Sequence, residues 1–209
     1  MAGTQTNKKN FLTTYQLTLI AILSAIATIL YLPPFQIPIA AFYKLDFSNL
    51  AVLLGGFAMG PLEAVMILLV KAILGMIWST SAGVGELADF IMGAALVLPA
   101  VMLYHRKKSR KNALIGLIAG TITMIVVSVF VNKWILIPFY MGAFHMDMNA
   151  ILRMAKNEAI DSEWKLLLLV TAPFNLLKGV AISLVTFFIY KPLSPILKGT
   201  FKSNQRAKR

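Results

Sequence analysis

The sequence predicts an all-α membrane protein built from six transmembrane helices. Three observations carry that expectation. Of the 209 residues, 58% are hydrophobic and 13% are charged, whereas soluble domains carry about 25% charged residues. Apolar runs approaching the ~20 residues that a helix needs to cross a bilayer recur along the whole chain. Proline, glycine and polar clusters separate these runs. No long polar stretch remains for a soluble domain, so 1–209 is expected to be a single six-helix membrane domain with flexible basic tails at 1–10 and 199–209.

The first span is expected over 12–31. Lys8-Lys9, an apolar run and Ala25-Ile26-Ala27 superficially fit a cleaved signal peptide. The apolar run continues to Tyr31, so a retained helix is the expectation. Pro33, Pro34 and Pro38 then break it, because proline cannot sit in a helix interior. An apolar connector over 39–44 leads to a short second helix ending near Met59, which Asp46 or Ser48 can cap. Gly60-Pro61 reads as a turn with proline at a first helical position. Glu63 falls in the first turn of the third span, where the helix dipole favours an anion. That span runs to about Ser79, and 80–85 is a loop of small residues. The fourth span covers 86–104, and the fifth covers 112–131 with a possible extension to Ile137. The polar segment 145–165 suits a short amphipathic helix, and 166–190 is the sixth span.

Charge placement predicts the orientation. Lys8 and Lys9, the basic loop Arg106, Lys107, Lys108, Arg110, Lys111, and the tail residues Lys191, Lys198, Lys202, Arg206, Lys208, Arg209 lie in three segments without acids. Six spans bring all three segments to one face, so the positive-inside rule makes both termini cytoplasmic. The same clustering suits anionic membrane lipid. The net charge of +12 therefore does not point to nucleic acid, since basic patches interleaved with exposed aromatics are absent.

Polar groups inside apolar spans are the candidate functional residues. An ionisable group near a bilayer centre costs several kcal/mol unless it is partnered or lines a cavity. Asn175 and Lys178 are three apart in the sixth span and share one helix face. Lys178 lies roughly 18 Å along the helix from the start of that span. Tyr43, Lys44, Leu45, Asp46 and Phe47 precede the second helix; Glu86 and Asp89 share a face of the fourth; Asn132 and Trp134 end the fifth. A cavity opening outward would collect these groups. Ordinary readings stand beside each. Lys44 and Asp46 also suit a surface ion pair, and Glu86 and Asp89 also suit the negative charge preferred at a helix N-terminus. Asn132 suits a helix cap, Lys133 and Trp134 suit interfacial anchors, and Lys71 suits a packing ion pair in mid-span. In the first span Ala21, Ser24, Ala25 and Thr28 form a small-residue stripe. It suits close packing within the chain or docking of a separate membrane protein equally.

Several chemistries are excluded. There is no cysteine, and His105 and His145 stand in separate loops, so no catalytic or metal-ligating cluster is expected. The phosphate-binding Gly-x-x-x-x-Gly-Lys-[Ser/Thr], the zinc His-Glu-x-x-His and the nucleophile Gly-x-Ser-x-Gly are all missing. Binding and transport remain, with no cofactor and no enzymatic activity expected.

Lys44-Leu45-Asp46-Phe47-Ser48, followed by Gly55-Gly56-Phe57-Ala58-Met59-Gly60-Pro61, resembles the substrate-binding S components of energy-coupling factor (ECF) vitamin transporters. Within that family, Gly85-Glu86-Leu87-Ala88-Asp89-Phe90, Asn132 with Pro138 and Tyr140, and Pro173-Phe174-Asn175-Leu176-Leu177-Lys178-Gly179 look like the riboflavin-binding members. The resemblance implies a six-helix subunit that takes riboflavin from outside. Its implied site is Tyr43, Lys44, Leu45, Asp46, Phe47, Glu86, Asp89, Asn132, Trp134, Phe174, Asn175 and Lys178. It also implies a partner module of one transmembrane coupling protein and two ATPase subunits, with Ala21 and Ala25 matching the family's docking motif. One departure is that the family pattern has an amide where Asp89 stands.

The chemistry of the ligand agrees. Riboflavin carries a pyrimidine-dione edge with one donor and two acceptors, and an amide such as Asn175 both donates and accepts along it. Lys178 can donate to a ring oxygen or nitrogen, and Phe47, Trp134, Phe174 and Leu45 could cover the ring faces. An S component for folate or pantothenate, a small lipid-modifying enzyme relying on Glu86 and Asp89, and a ligand-free scaffold are the competing readings.

Overall fold

The computed structural model describes residues 12–40, 43–155 and 157–206. Helix α1, Thr14–Tyr31, starts with a capping box in which the Thr13 side chain accepts from the Gln16 amide and Gln16 bonds back. Pro33 and Pro34 end it, as expected, in a single 3-10 turn. The connector is not a loop. It forms two short antiparallel strands, β1 (Ile37–Ala40) and β2 (Tyr43–Leu45), with Ile37 opposite Leu45 and Pro38 opposite Lys44. The all-α expectation is corrected by this hairpin. It alternates Tyr43 inward, Lys44 outward and Leu45 inward, a period of two over a stretch too short to read in sequence.

Helix α2, Ser48–Ala58, follows directly. Asp46 does the capping, its Oδ1 accepting the Ser48 amide at 2.9 Å. Nine of the 11 residues in α2 are buried, and the helix packs against α1 and against α3 (Pro61–Gly75), α4 (Val84–Arg106) and α9 (Ala172–Arg206). Its 11 residues reach only about 16 Å at 1.5 Å per residue. Between α2 and α3, Gly60 takes φ of 149°, a conformation open to glycine, and Pro61 begins α3. Glu63 is satisfied by Gln16 Nε2 at 2.8 Å, which ties α3 to the start of α1.

Helix α5 covers Arg110–Val131, capped by Ser109. It does not stop near Ile137. It passes through one π-helical turn, Asn132–Leu136, into α6, Ile137–Ala143. The short helix expected within 145–165 appears as α7, Met148–Arg153, capped by Asp147 onto Ala150 N at 2.7 Å. Helix α8, Glu163–Leu166, enters α9 through a second π turn, Leu167–Thr171. Both π turns stand directly before an X-Pro pair, Ile137-Pro138 and Ala172-Pro173. Proline brings no amide hydrogen to the ladder, and the widened turn before it absorbs the break. Helix α9 then continues to Arg206, so 199–206 extend a helix where a tail was expected. The tail 1–10 and residues 207–209 lie outside the described residues.

Among the described residues, five helices are long and apolar enough to cross a membrane, namely Thr14–Tyr31, Pro61–Trp78, Val84–Arg106, Arg110–Ala143 and Glu163–Leu193. Their outward faces carry Ile118, Ile122, Val126, Leu184 and Phe188, all strongly exposed, as befits surfaces whose solvent is lipid. The inward faces close a core around Val52, Leu53, Ile67, Leu68, Leu96, Val97, Leu117 and Ile182. The small-residue stripe of α1 divides. Ser24 and Thr28 are buried in the bundle, while Ala21 and Ala25 stay on the exposed face.

Candidate functional site

The end of α1, the hairpin, the start of α4, the first π turn and the first turns of α9 line a cavity of about 190 Å³. Its polar lining includes Tyr43, Lys44, Asp46, Asn49, Glu86, Asp89, Asn175 and Lys178, with Met92, Met124, Leu136 and Phe174 as apolar wall. The cavity is therefore a greasy pocket with a few placed polar groups, the usual make-up of a small-molecule site.

An ion network forms one side. Lys178 Nζ donates to Asp46 Oδ2 at 2.8 Å and to Asp89 Oδ1 at 3.1 Å. Lys71 Nζ donates to Asp89 Oδ2 at 2.6 Å, Asn49 Oδ1 at 3.0 Å and Ser48 Oγ at 3.1 Å. The Ser48 hydroxyl also donates to Asp46 Oδ1. Two cations thus meet two carboxylates, and all four side chains are buried. Such burial is tolerable because every charge is paired and hydrogen-bonded.

A neutral network fixes the opposite wall. Tyr43 donates its hydroxyl to Asn132 Oδ1 at 2.8 Å and also meets the Thr171 hydroxyl. Asn132 and Thr171 each belong to one of the π turns, so the hairpin is pinned where the two long helices widen. The Asn132 and Asn175 amide nitrogens donate back to the carbonyls of Ser128 and Thr171, at 2.8 and 2.9 Å. No hydrogen bond to the Asn175 carbonyl oxygen is made among the described residues, which leaves an acceptor at the cavity. The Tyr43 and Phe174 rings pack at 5.0 Å between centroids. Glu86 accepts from the Ser79 hydroxyl at 2.7 Å and the Ser81 hydroxyl at 3.3 Å, with no ion pair among the described residues.

Of the residues singled out from sequence, Tyr43, Lys44, Asp46, Glu86, Asp89, Phe174, Asn175 and Lys178 come together at the cavity. Leu45 lies behind it, packed with Tyr43 and Phe174. Asn132 is fully buried and acts through Tyr43. Phe47 packs against the main core instead. Trp134 is 65% exposed and stacks on Phe130 with centroids 5.0 Å apart. It faces away from the cavity because it stands two positions after the buried Asn132, on the opposite side of the helix. Asp46 pairs with Lys178 rather than with Lys44, which stays exposed at the rim. Tyr31, Gln36, Asn49 and Ser81 also line the cavity without any sequence signal, since a lone polar residue near a helix end is commonplace. Lys71 was legible as a mid-span cation, and its acid partner is Asp89.

Comparison with known proteins bears on this site. The family model "ECF transporter, substrate-specific component" matches residues 15–190. The chain is 34% identical over 193 residues to the riboflavin transporter RibU of Staphylococcus aureus (strain TCH60), covering 91% of this chain and 96% of that protein. It is 29% identical over 186 residues to the riboflavin transporter FmnP of Bacillus subtilis (strain 168), covering 86% and 92%. A solved structure of the S component of a bacterial ECF transporter is similar with a TM-score of 0.68 and 32% identity, covering 88% of this chain and 97% of that one.

Proposed function

The chain belongs to the substrate-specific components of ECF transporters, and from that premise we propose that it captures riboflavin from outside the cell for uptake driven by an ATP-hydrolysing coupling module. It is a multi-pass protein of the plasma membrane, and the ATP-binding chemistry belongs to partners, since the chain has no phosphate-binding loop. The observation that carries the ligand reading is the pairing of Lys178 and Asn175 on one face of α9 at the cavity. Lys178 spends two of its three ammonium hydrogens on Asp46 and Asp89, which leaves the third for a ligand acceptor. Asn175 presents a carbonyl oxygen to a ligand N–H. Together they match an acceptor beside a donor on the dione edge of a flavin. Phe174, Met92, Met124 and Leu136 offer apolar cover for the rings, and Glu86 and Lys44 offer partners for the ribityl hydroxyls.

Distance along α4 supports the orientation. Glu86 lies at the cavity and Arg106 at the far end of the same helix, about 30 Å away at 1.5 Å per residue. That is one bilayer core. The basic turn holding Arg106, Lys107, Lys108, Arg110 and Lys111 therefore sits on the membrane face opposite the cavity. The positive-inside rule makes that face cytoplasmic, along with both termini. Helix α2 is the sixth crossing element in this reading. It is too short to span alone, and the hairpin completes its depth, since non-helical backbone is tolerated in a membrane where protein buries it. The whole of 1–209 then forms one membrane domain, contacting lipid on its outer faces.

Titrating the purified protein with riboflavin tests this reading. The expected result is saturable quenching of flavin fluorescence in the nanomolar range, with folate and pantothenate failing to compete. Absence of quenching, or competition by either vitamin, would overturn it.

The exposed Ala21 and Ala25 face of α1 is proposed to dock the transmembrane coupling protein, which carries the two ATPase subunits. The two alanines allow close helix approach. Replacing Ala21 with Trp is expected to leave riboflavin affinity unchanged and to abolish co-purification with the coupling module. Retention of the module by that variant would move the docking face elsewhere.

A further inference from the structure

We propose that Lys71 is a positioning residue for ligand capture, setting the charge balance that leaves one ammonium hydrogen of Lys178 free for the ligand. The proposal rests on the riboflavin-binding reading above and adds a residue to its machinery. Lys71 sits in mid-membrane on α3, is 1% exposed, and does not line the cavity. An ammonium has three donors, and those of Lys71 all have acceptors, in Ser48, Asn49 and Asp89. It has nothing left to offer a ligand, so any effect on binding passes through its neighbours.

Asp89 is the neighbour that matters. Its two oxygens are divided, Oδ2 to Lys71 and Oδ1 to Lys178. Asp46 divides in the same way, Oδ2 to Lys178 and Oδ1 to the amide and hydroxyl of Ser48. The Ser48 hydroxyl in turn accepts from Lys71. Lys71 therefore touches both carboxylates that hold Lys178, one directly and one through Ser48. With it, the cluster of Lys71, Lys178, Asp46 and Asp89 is electrically neutral. Without it, two carboxylates share one cation. Glu86 lies one helical turn before Asp89 and adds more negative charge. The Tyr31 ring, with the Lys71 ammonium 5.3 Å from its centroid, adds no positive charge to replace it. The freed Asp89 oxygen then has Lys178 as its remaining cation and takes the hydrogen that the ligand needs. The same excess charge repels the electron-rich carbonyl edge of the incoming ring.

The test uses Lys71→Met and the double variant Lys71→Met/Asp89→Asn in the full chain. For each, riboflavin affinity is measured by fluorescence quenching, and the melting temperature is measured without ligand. The single variant is expected to bind riboflavin at least 20-fold more weakly than the unaltered protein. The double variant restores neutrality, with Asp46 and Lys178 as the surviving pair, and is expected to recover to within about fivefold. A role in packing alone would not give that recovery, because the second substitution keeps the size of the side chain, fills none of the space left by Lys71 and turns the charged acceptor of Lys178 into a neutral one. Lys71→Met binding within twofold of the unaltered protein would overturn the proposal. So would a folded double variant that binds no better than the single one, or failure of both variants to fold. If the unaltered protein does not bind riboflavin, the functional reading fails instead. The charge balance is then judged by whether the ligand-free melting temperature falls in the single variant and recovers in the double.

Discussion

Replacing Lys178 with Met is expected to weaken riboflavin binding about ten- to a hundredfold and to lower the melting temperature of the ligand-free protein. Two effects oppose each other in that substitution. Removing a cation from mid-membrane relieves a cost of about 3 kcal/mol on insertion scales. Removing one partner of a buried ion pair costs about 3–5 kcal/mol, because the other charge is left uncompensated. Lys178 holds both Asp46 and Asp89, so two carboxylates lose a partner and the destabilising effect wins. Binding suffers separately. A hydrogen bond from a charged donor contributes about 1.5–3 kcal/mol, and each 1.4 kcal/mol is tenfold in affinity. A scaffold without ligand predicts the opposite sign, with the methionine harmless or stabilising. Fluorescence titration and thermal melting of the same preparation separate the two. A variant that melts higher and quenches flavin as before would end the transport reading of this site.

The ions in the membrane were legible in the sequence, and their pairing was not. Lys178, Asn175, Asp89 and Lys71 stand out because polar groups in apolar spans need a reason. That Lys178 meets Asp46, 132 positions away, is a fact of tertiary packing that no local pattern carries. The helices were legible from length, proline and charge. The hairpin was hidden, because Pro33, Pro34 and Pro38 read as a plain break and the paired strands have four and three residues. The π turns were hidden too, since hydrophobic periodicity does not register one extra residue in a turn. The Ile137-Pro138 pair is the available cue, and in sequence it looks like an end where the chain only widens. The shortness of the second span is legible in sequence, but its depth depends on the hairpin that precedes it.

Helix α5 carries the small-residue pair Gly116 and Gly120, four apart in Gly116-Leu117-Ile118-Ala119-Gly120. A methyl group added at Gly120 would lie 2.1 Å from the carbonyl oxygen of Leu96, and one at Gly116 would lie 2.6 Å from that of Ala100. Both obstacles are backbone atoms of α4, so no side-chain rotation makes room. Apolar surface gives helices little reason to associate in lipid, and close backbone approach through such pairs supplies the contact. Replacing Gly120 with Val is therefore expected to force α4 and α5 apart at a cost of about 3 kcal/mol or more, beyond ordinary overpacking. The damage reaches the site, because α4 carries Glu86 and Asp89 while α5 carries Met124 and leads into Asn132. Riboflavin affinity should fall with stability even though Gly120 touches no cavity group. Gly142 in α6 is the control, since an added methyl there meets nothing within 4 Å. Gly142→Ala should melt at or slightly above the unaltered protein, because alanine favours the helix by roughly 1 kcal/mol. Size-exclusion profiles after graded heating in detergent measure both variants. A Gly120→Val protein as heat-resistant as the Gly142→Ala one would mean that α4 and α5 do not meet backbone to backbone.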